Sequence, residues 1–208
     1  MSMSGRLQIC TLETSRTFGE AVAQALGTPL ATVEERTFED GEYKIRPLET
    51  MSGGDVYVVQ SLHAGPAQSA DDKLNRLLFL IAALKDAGAA RVTAVTPYLC
   101  YARKDRRTKW QDPLSLRYVA SFFEAVGTDR VIAMDIHNDA AFENAFRCST
   151  VVLTAAPLFV DYVKRLGDTA LCVISPDPRR GQARRAAAGG VGRVLRRGDY
   201  QRLRGQAS

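Results

Sequence analysis

The sequence predicts an α/β protein built on a parallel sheet, and three observations predict it. Short apolar, β-branched runs alternate with helix-period segments along residues 7–174, the order that sets strands side by side with helices crossing between them. Polar clusters directly follow three of those runs, where open α/β sheets bind ligands beyond the carboxyl ends of their strands. Apolar residues make up 46% of the 208-residue chain, enough for a core without disulfide or metal staples.

Leu7 to Leu12 reads as a first strand, followed by a helix with Phe18, Ala21, Val22 and Ala25 on one face and Gly27 as its stop. Leu30 to Phe38 and Tyr43 to Arg46 read as a strand pair joined through the acidic turn Glu39-Asp40-Gly41. Asp55 to Gln60 gives a buried strand, and a helix from about Asp71 sets Leu74, Leu77, Leu78 and Ile81 on one stripe before Gly88. After the strand Arg91 to Thr96 and a charged loop, a further helix is expected, with Asp112 as N-cap and Pro113 in its first turn. It carries Leu116, Val119, Ala120 and Phe123 on its face and stops at Gly127. Arg130 to Ile136 reads as a strand, Pro157 to Leu166 as a helix and Ala170 to Ile174 as a strand.

Composition removes several function classes. The four cysteines stand far apart, with no C-x-x-C, which argues against a zinc site or a disulfide framework and for a reducing compartment. Met1 to Leu12 lacks the pattern of a signal peptide, and no run of 18 apolar residues occurs, so a soluble, cytoplasmic protein without membrane partners is expected. The net charge of +5 misleads. Nine of the 28 basic residues but only one of the 23 acidic residues (Asp199) lie in 179–208, so residues 1–178 carry a net −3. A nucleic-acid role would rest on that tail alone, which has Tyr200 as its one aromatic and no recognisable module.

Four stretches carry candidate chemistry. Residues 103–109 place five basic side chains (Arg103, Lys104, Arg106, Arg107, Lys109) within seven positions around Asp105. Arginine forks and a lysine point charge suit a polyphosphate, and a solvated charged loop would read the same. Asp135-Ile136-His137-Asn138 offers an imidazole for a metal or a base, or a histidine satisfied within the structure. Asp177, between Pro176 and Pro178, suits a metal or a plain turn. Phe38-Glu39-Asp40-Gly41-Glu42 suits purine stacking, or a type I′ hairpin with a packed Phe. There is no P-loop and no G-x-G-x-x-G, and no hydrolase triad assembles from two histidines.

Together these stretches resemble ribose-phosphate pyrophosphokinases (PRPP synthetases). Phe38 to Glu42 matches the family's F-x-[ND]-G-E. Pro97-Tyr98 through Arg103-Lys104-Asp105-Arg106 matches P-Y-x-x-Y-A-R-Q-D-R. Asp135-Ile136-His137 matches D-x-H, and Ser175-Pro176-Asp177 opens S-P-D-x-G-G-x-x-R. The likeness runs in register over about residues 7–178. It implies a phosphoribosyltransferase-like lobe at 1–150 on the ATP side and the start of a truncated second lobe at 151–178. The Arg-rich tail at 179–208 is expected to be disordered.

The implied reaction is Mg²⁺-dependent transfer of diphosphate from ATP to ribose 5-phosphate, giving PRPP and AMP for nucleotide biosynthesis. Implied partners are further copies of the chain or a full-length synthetase. By the same resemblance Phe38, Asp40 and Glu42 serve adenine, from a neighbouring subunit. Arg103, with Lys104 and Asp105, belongs to the loop that holds the ATP phosphates, while His137 and Asp177 serve Mg²⁺ and ATP. No catalytic residue is implied. Lys104 replaces the family's glutamine, and Thr108 stands where an acid commonly contacts ATP.

Beyond Pro178 the family continues Gly-Gly-Val-Lys-Arg, whereas this chain reads Arg179-Arg180-Gly181-Gln182-Ala183-Arg184. A one-base shift of codons compatible with these residues spells the family's version, so the tail is expected to be an out-of-frame reading. The family's Lys-Arg catalytic loop and its acidic ribose-phosphate loop lie downstream, which puts catalysis by the 208-residue form in question. A non-catalytic, regulatory subunit-like relative is the alternative.

Overall fold

The computed structural model describes residues 5–165 and two short strands at 173–175 and 194–196. Through the first unit, which ends at Leu153, the chain runs β1 (Leu7–Thr11), α1 (Arg16–Ala25), β2 (Val33–Thr37), β3 (Tyr43–Pro47), β4 (Asp55–Val59) and α2 (Ala70–Asp86). It continues with β5 (Arg91–Thr96), α3 (Ser115–Ala125), β6 (Arg130–Met134), α4 (Asp139–Ala145) and β7 (Ser149–Leu153). Five strands form one parallel sheet in the order β1-β4-β5-β6-β7, and β2 and β3 form a separate antiparallel hairpin. This is the α/β parallel-sheet class expected from the alternation of elements.

The strands earn their places by burial. One face of the sheet presents Cys10, Val56, Val58, Val92, Ala94, Val131 and Ala133 to the main core, which also takes in Leu74, Leu77, Leu80, Ile81 and Leu84 of α2 and Leu116, Val119, Ala120 and Phe123 of α3. Each fully buried aliphatic or aromatic side chain contributes roughly 1.5–3 kcal/mol. α2 starts on a capping box. Ser69 Oγ accepts from the Asp72 amide at 3.1 Å, and Asp72 Oδ2 accepts from the Ser69 amide at 2.9 Å. These hydrogen bonds from Ser69 hold the Asp72 carboxyl below its ordinary range.

Local differences from the sequence reading have physical causes. α1 turns Gly19 and Ala23 inward and leaves Phe18 exposed, because the second sheet face holds only a small cluster of Ile9, Ala23 and Val59. A thin helix face fits there and a phenylalanine face does not. Arg130–Met134 stops two residues early because Asp135 takes φ 48°. α4 and β7 have no counterpart in the sequence reading. α4 is too short for a periodic signal, but Asn138 caps it by accepting from the Ala141 amide at 3.2 Å.

The tight seat of Gly19 gives a test. A Cβ there would lie 2.8 Å from the Thr11 Cβ, and Thr11 cannot retreat while its hydroxyl donates to the Val59 carbonyl at 2.7 Å. Gly19→Ala gains up to about 1 kcal/mol of helix propensity, but overpacking costs about 1–3 kcal/mol. A net loss of stability is therefore expected in thermal melts, and a higher midpoint would contradict it.

The second unit begins at Thr154 and contains α5 (Ala156–Arg165), β8 (Val173–Ser175) and β9 (Val194–Arg196). β8 and β9 pair in parallel, so the Arg-rich segment, expected to carry no element, supplies a three-residue strand at Val194-Leu195-Arg196. Asp177 and the rest of 176–193 lie outside the described residues. Among the described residues no helix is long and apolar enough to cross a membrane.

Candidate nucleotide site

The charged loop after β5 is anchored rather than loose. Leu99, Cys100 and Ala102 are buried, and Tyr101, with φ 60°, donates its hydroxyl to the Asp71 carboxylate at the start of α2. Burial, with Asp71 nearby, pushes the Cys100 thiol up to about 12, so it stays a neutral packing group at physiological pH.

Asp112 organises the rest of the loop. The expected role as N-cap of α3 is not observed, because the helix begins at Ser115 with Leu114 in the capping position. Instead Asp112 Oδ2 accepts from Lys104 Nζ at 2.6 Å, Thr108 Oγ1 at 2.6 Å, and the Thr108 and Lys109 amides at 2.9 Å each. Lys104 first, then Thr108, holds this carboxyl far below its ordinary value. The two departures from the family's loop, Lys104 and Thr108, are thus joined through one carboxylate. Among the described residues Lys104 has this ion pair, whereas Arg103, Arg106, Arg107 and Lys109 have none. Four cations therefore remain available for an anion.

β6 brings the second stretch beside the first. Asp135, whose amide donates to the Leu153 carbonyl at 2.9 Å, turns the chain so that His137 and Asn138 lie exposed in the link to α4. Asn138 Nδ2 donates to Asp105 Oδ2 at 2.9 Å. This hydrogen bond ties the β5 and β6 loops together and sets Arg103-Lys104-Asp105 and His137 on two linked segments at the carboxyl edge of adjacent strands.

Phe38, Asp40 and Glu42 sit on the hairpin turn. Only Gly41, with φ 88°, is left-handed there. The Gly41 amide donates to the Phe38 carbonyl at 3.1 Å, and the Phe38 amide donates to the Glu42 carbonyl at 2.7 Å. This is a five-residue turn, not the two-residue type I′ turn that Asp-Gly suggested, because a type I′ turn needs both central residues left-handed. Phe38 is 40% exposed rather than packed, with the Arg36 guanidinium 5.2 Å from its ring centre. Asp40 Oδ1 accepts from the Glu42 amide at 3.0 Å.

What holds this turn is Arg76 of α2, which the sequence reading passed over. Its Nη2 donates to Thr37 Oγ1 at 3.1 Å, its Nη1 lies 3.8 Å from Glu35 Oε2, and its guanidinium stacks 4.2 Å from the Tyr43 ring centre. Thr37 and Tyr43 are the last paired residues before the turn. One buried side chain therefore grips both ends of the segment that carries Phe38, Asp40 and Glu42.

Among the described residues no three His, Cys, Asp or Glu side chains cluster as a metal site. His137 is described at the β6 edge, and Asp177 lies outside the described residues.

Known proteins share this chain's sequence and fold. Residues 7–127, more than half of the chain, match the model of the N-terminal domain of ribose phosphate pyrophosphokinase. The chain is 36% identical over 172 residues to the ribose-phosphate pyrophosphokinase of Hyphomonas neptunium, covering 82% of this chain and 54% of that protein. It is 37% identical over 177 residues to that of Clostridium perfringens, covering 84% and 54%. A crystal structure of phosphoribosylpyrophosphate synthetase from Mycobacterium smegmatis superposes with a TM-score of 0.82 at 30% identity, covering 92% of this chain and 63% of that one. The chain spans about half the length of the curated relatives it matches. Sequence, fold and strand-end loops converge on one conclusion: the chain belongs to the ribose-phosphate pyrophosphokinase family, through the family's N-terminal domain.

Proposed function

We propose that this chain supplies the nucleotide side of ribose-phosphate diphosphokinase chemistry, in which ATP gives its diphosphate to ribose 5-phosphate and AMP and PRPP result. The observation that carries the proposal is the β5 loop. Its cations Arg103, Arg106, Arg107 and Lys109 have no ion pair among the described residues, in a segment fixed by Asp112 and tied to the β6 loop by Asn138. Phosphoryl transfer depends on positioning and charge neutralisation more than on covalent chemistry by the protein, and a rigid cationic strand-end loop provides both.

In this reading Arg103 and Asp105 order the triphosphate and its surroundings, Lys104 shapes the loop through Asp112, and His137 and Asp177 face the metal and nucleotide. Phe38, Asp40 and Glu42 meet adenine from a neighbouring copy in an oligomer. Mg²⁺ enters with ATP and neutralises phosphate charge. The reading keeps residues 1–150 as the ATP-side lobe, 151–178 as the opening of a second lobe and 179–208 as a tail, in a cytoplasmic enzyme of nucleotide biosynthesis.

Equilibrium dialysis with Mg-ATP tests it. Saturable binding is expected, weakening as salt rises, and Arg103→Ala with Arg106→Ala should weaken it at least about tenfold through lost charge-assisted bonds. A folded sample that binds no ATP sinks the proposal. A second reading is a non-catalytic subunit that assembles with a full-length synthetase. Stable co-purification with such an enzyme, without AMP release by this chain alone, would select it.

A further inference from the structure

We propose that Lys73 forms the floor of a binding site for a small carboxylate monoanion, beneath the connection from β4 to α2. The site uses none of the β5 loop's cations and does not rest on the nucleotide reading. Lys73 stands in the first turn of α2 and is 4% exposed. Among the described residues its ammonium has no ion pair and no hydrogen bond. A lysine is almost never buried so deeply without a partner, because an unpaired ammonium gives up its hydration and recovers nothing. Arg76, less than one turn further on, shows the contrast, with Thr37, Glu35 and the Tyr43 ring all around its guanidinium.

The ammonium faces an opening. A Cβ at Gly65 would lie 3.7 Å from Lys73 Nζ and, its own chain neighbours aside, within 4 Å of nothing else. Gly65 is held in place by donating its amide to the Gln68 carbonyl at 2.9 Å, and the residues beside it, Ala64, Pro66 and Ala67, are short and exposed. Small residues thus leave a notch with a cation as its inner wall. Charge selects the occupant. Asp71 takes the Tyr101 hydroxyl, and Asp72 closes the capping box, accepting from the Ser69 hydroxyl at 2.7 Å and the Ser69 amide at 2.9 Å. Neither pairs with Lys73, yet both place negative charge within two residues of it. A monoanion matches the one buried positive charge. A phosphate dianion would leave excess negative charge near two carboxylates, and Arg76, which could share it, is committed to Glu35 and Thr37. A carboxylate of acetate size offers two acceptor oxygens to the three ammonium donors, and it fits a notch rimmed by glycine and alanine.

The test follows the lysine ammonium signals of the ¹⁵N-labelled 208-residue chain by NMR. The chain is titrated with sodium acetate, sodium phosphate and sodium chloride at constant ionic strength, with thermal melts in parallel. One signal, missing in Lys73→Met, should shift saturably with acetate, at about tenfold lower concentration than with phosphate, and hardly at all with chloride. Acetate should raise the parent's melting midpoint and leave that of Lys73→Met unmoved. Without acetate, Lys73→Met should melt no lower than the parent, since an apolar chain of similar length replaces an unpaired buried charge. Gly65→Val, which fills the notch and keeps the charge, should weaken acetate binding at least about tenfold. A Lys73 signal that ignores acetate, an equal acetate effect on Lys73→Met, or acetate binding by Gly65→Val at the parent's strength overturns the inference. Tighter binding of phosphate than of acetate overturns the monoanion assignment and the inference with it. A signal that moves with protein concentration instead of acetate gives the ammonium to an acid on a second copy, and overturns it as well.

Discussion

Replacing Asp112 with alanine is expected to weaken Mg-ATP binding at least about tenfold and to open the 104–112 loop to trypsin at Arg106, Arg107 and Lys109. The melting midpoint should move by no more than a few degrees. The expectation follows from four donors meeting one carboxylate oxygen, Lys104 Nζ and Thr108 Oγ1 at 2.6 Å each and two amides at 2.9 Å. Without it the loop keeps its cations and loses its shape, and electrostatic recognition of a polyphosphate depends on the fixed position of the donors. Asp112→Asn, which retains oxygen but not charge, should fall between parent and alanine.

The pH dependence has a defined sign. Because its folded value is depressed below the ordinary 3.8, the carboxylate's contribution is fully present above that value and is lost as pH falls through the lower, folded one. The loop should therefore resist trypsin-like cleavage, probed with an acid-tolerant protease, unchanged from neutral pH to below 4. Unaltered cleavage and ATP affinity in Asp112→Ala would refute the organising role.

Replacing Arg76 with methionine should have the larger effect on stability, lowering the melting midpoint by roughly 5–12 °C. The hairpin belongs to no larger sheet, so its seat depends on α2. Arg76 and Glu35 expose only 11% and 16% of their side chains. Removing the cation leaves the poorly hydrated Glu35 carboxylate with the Glu13 amide at 2.6 Å as its remaining partner, at a cost that approaches the about 3–5 kcal/mol of a broken buried pair. The double change Glu35→Leu with Arg76→Met should recover at least half of the loss, since the stranded charge is then gone. The single variant should also bind ATP more weakly wherever Phe38, Asp40 and Glu42 contribute. A single variant that melts with the parent would show that the hairpin is held by other contacts, such as the edge of Phe79 against Tyr43 at 5.3 Å.

The sheet was legible because its strands are continuous apolar runs and its longer helices carry clear stripes and stops. α3 shows this well: Leu116, Val119, Ala120 and Phe123 are all buried, as their spacing requires. The strand-end loops were legible as charge clusters, and the family resemblance was carried by the same residues. What the sequence hid were the side chains that act at a distance along the chain. Asp112 before Pro113 looks like a helix cap, and nothing local says that Lys104, eight residues earlier, will claim it. Arg76 lies 39 residues from Thr37, on a helix face where an arginine reads as solvent-facing. The exposure of Phe18 was also hidden, because periodicity reveals an apolar face but not how thin a space awaits it.

Asn138 uses both ends of one amide, the oxygen on the Ala141 amide that starts α4 and the nitrogen on Asp105 of the neighbouring loop. An aspartate there would keep the first bond and set like charges together at the second. A leucine would forfeit both. A change at position 138 therefore acts on the start of α4 and on the neighbouring loop at once, and a matching change at 105 would repair only the second.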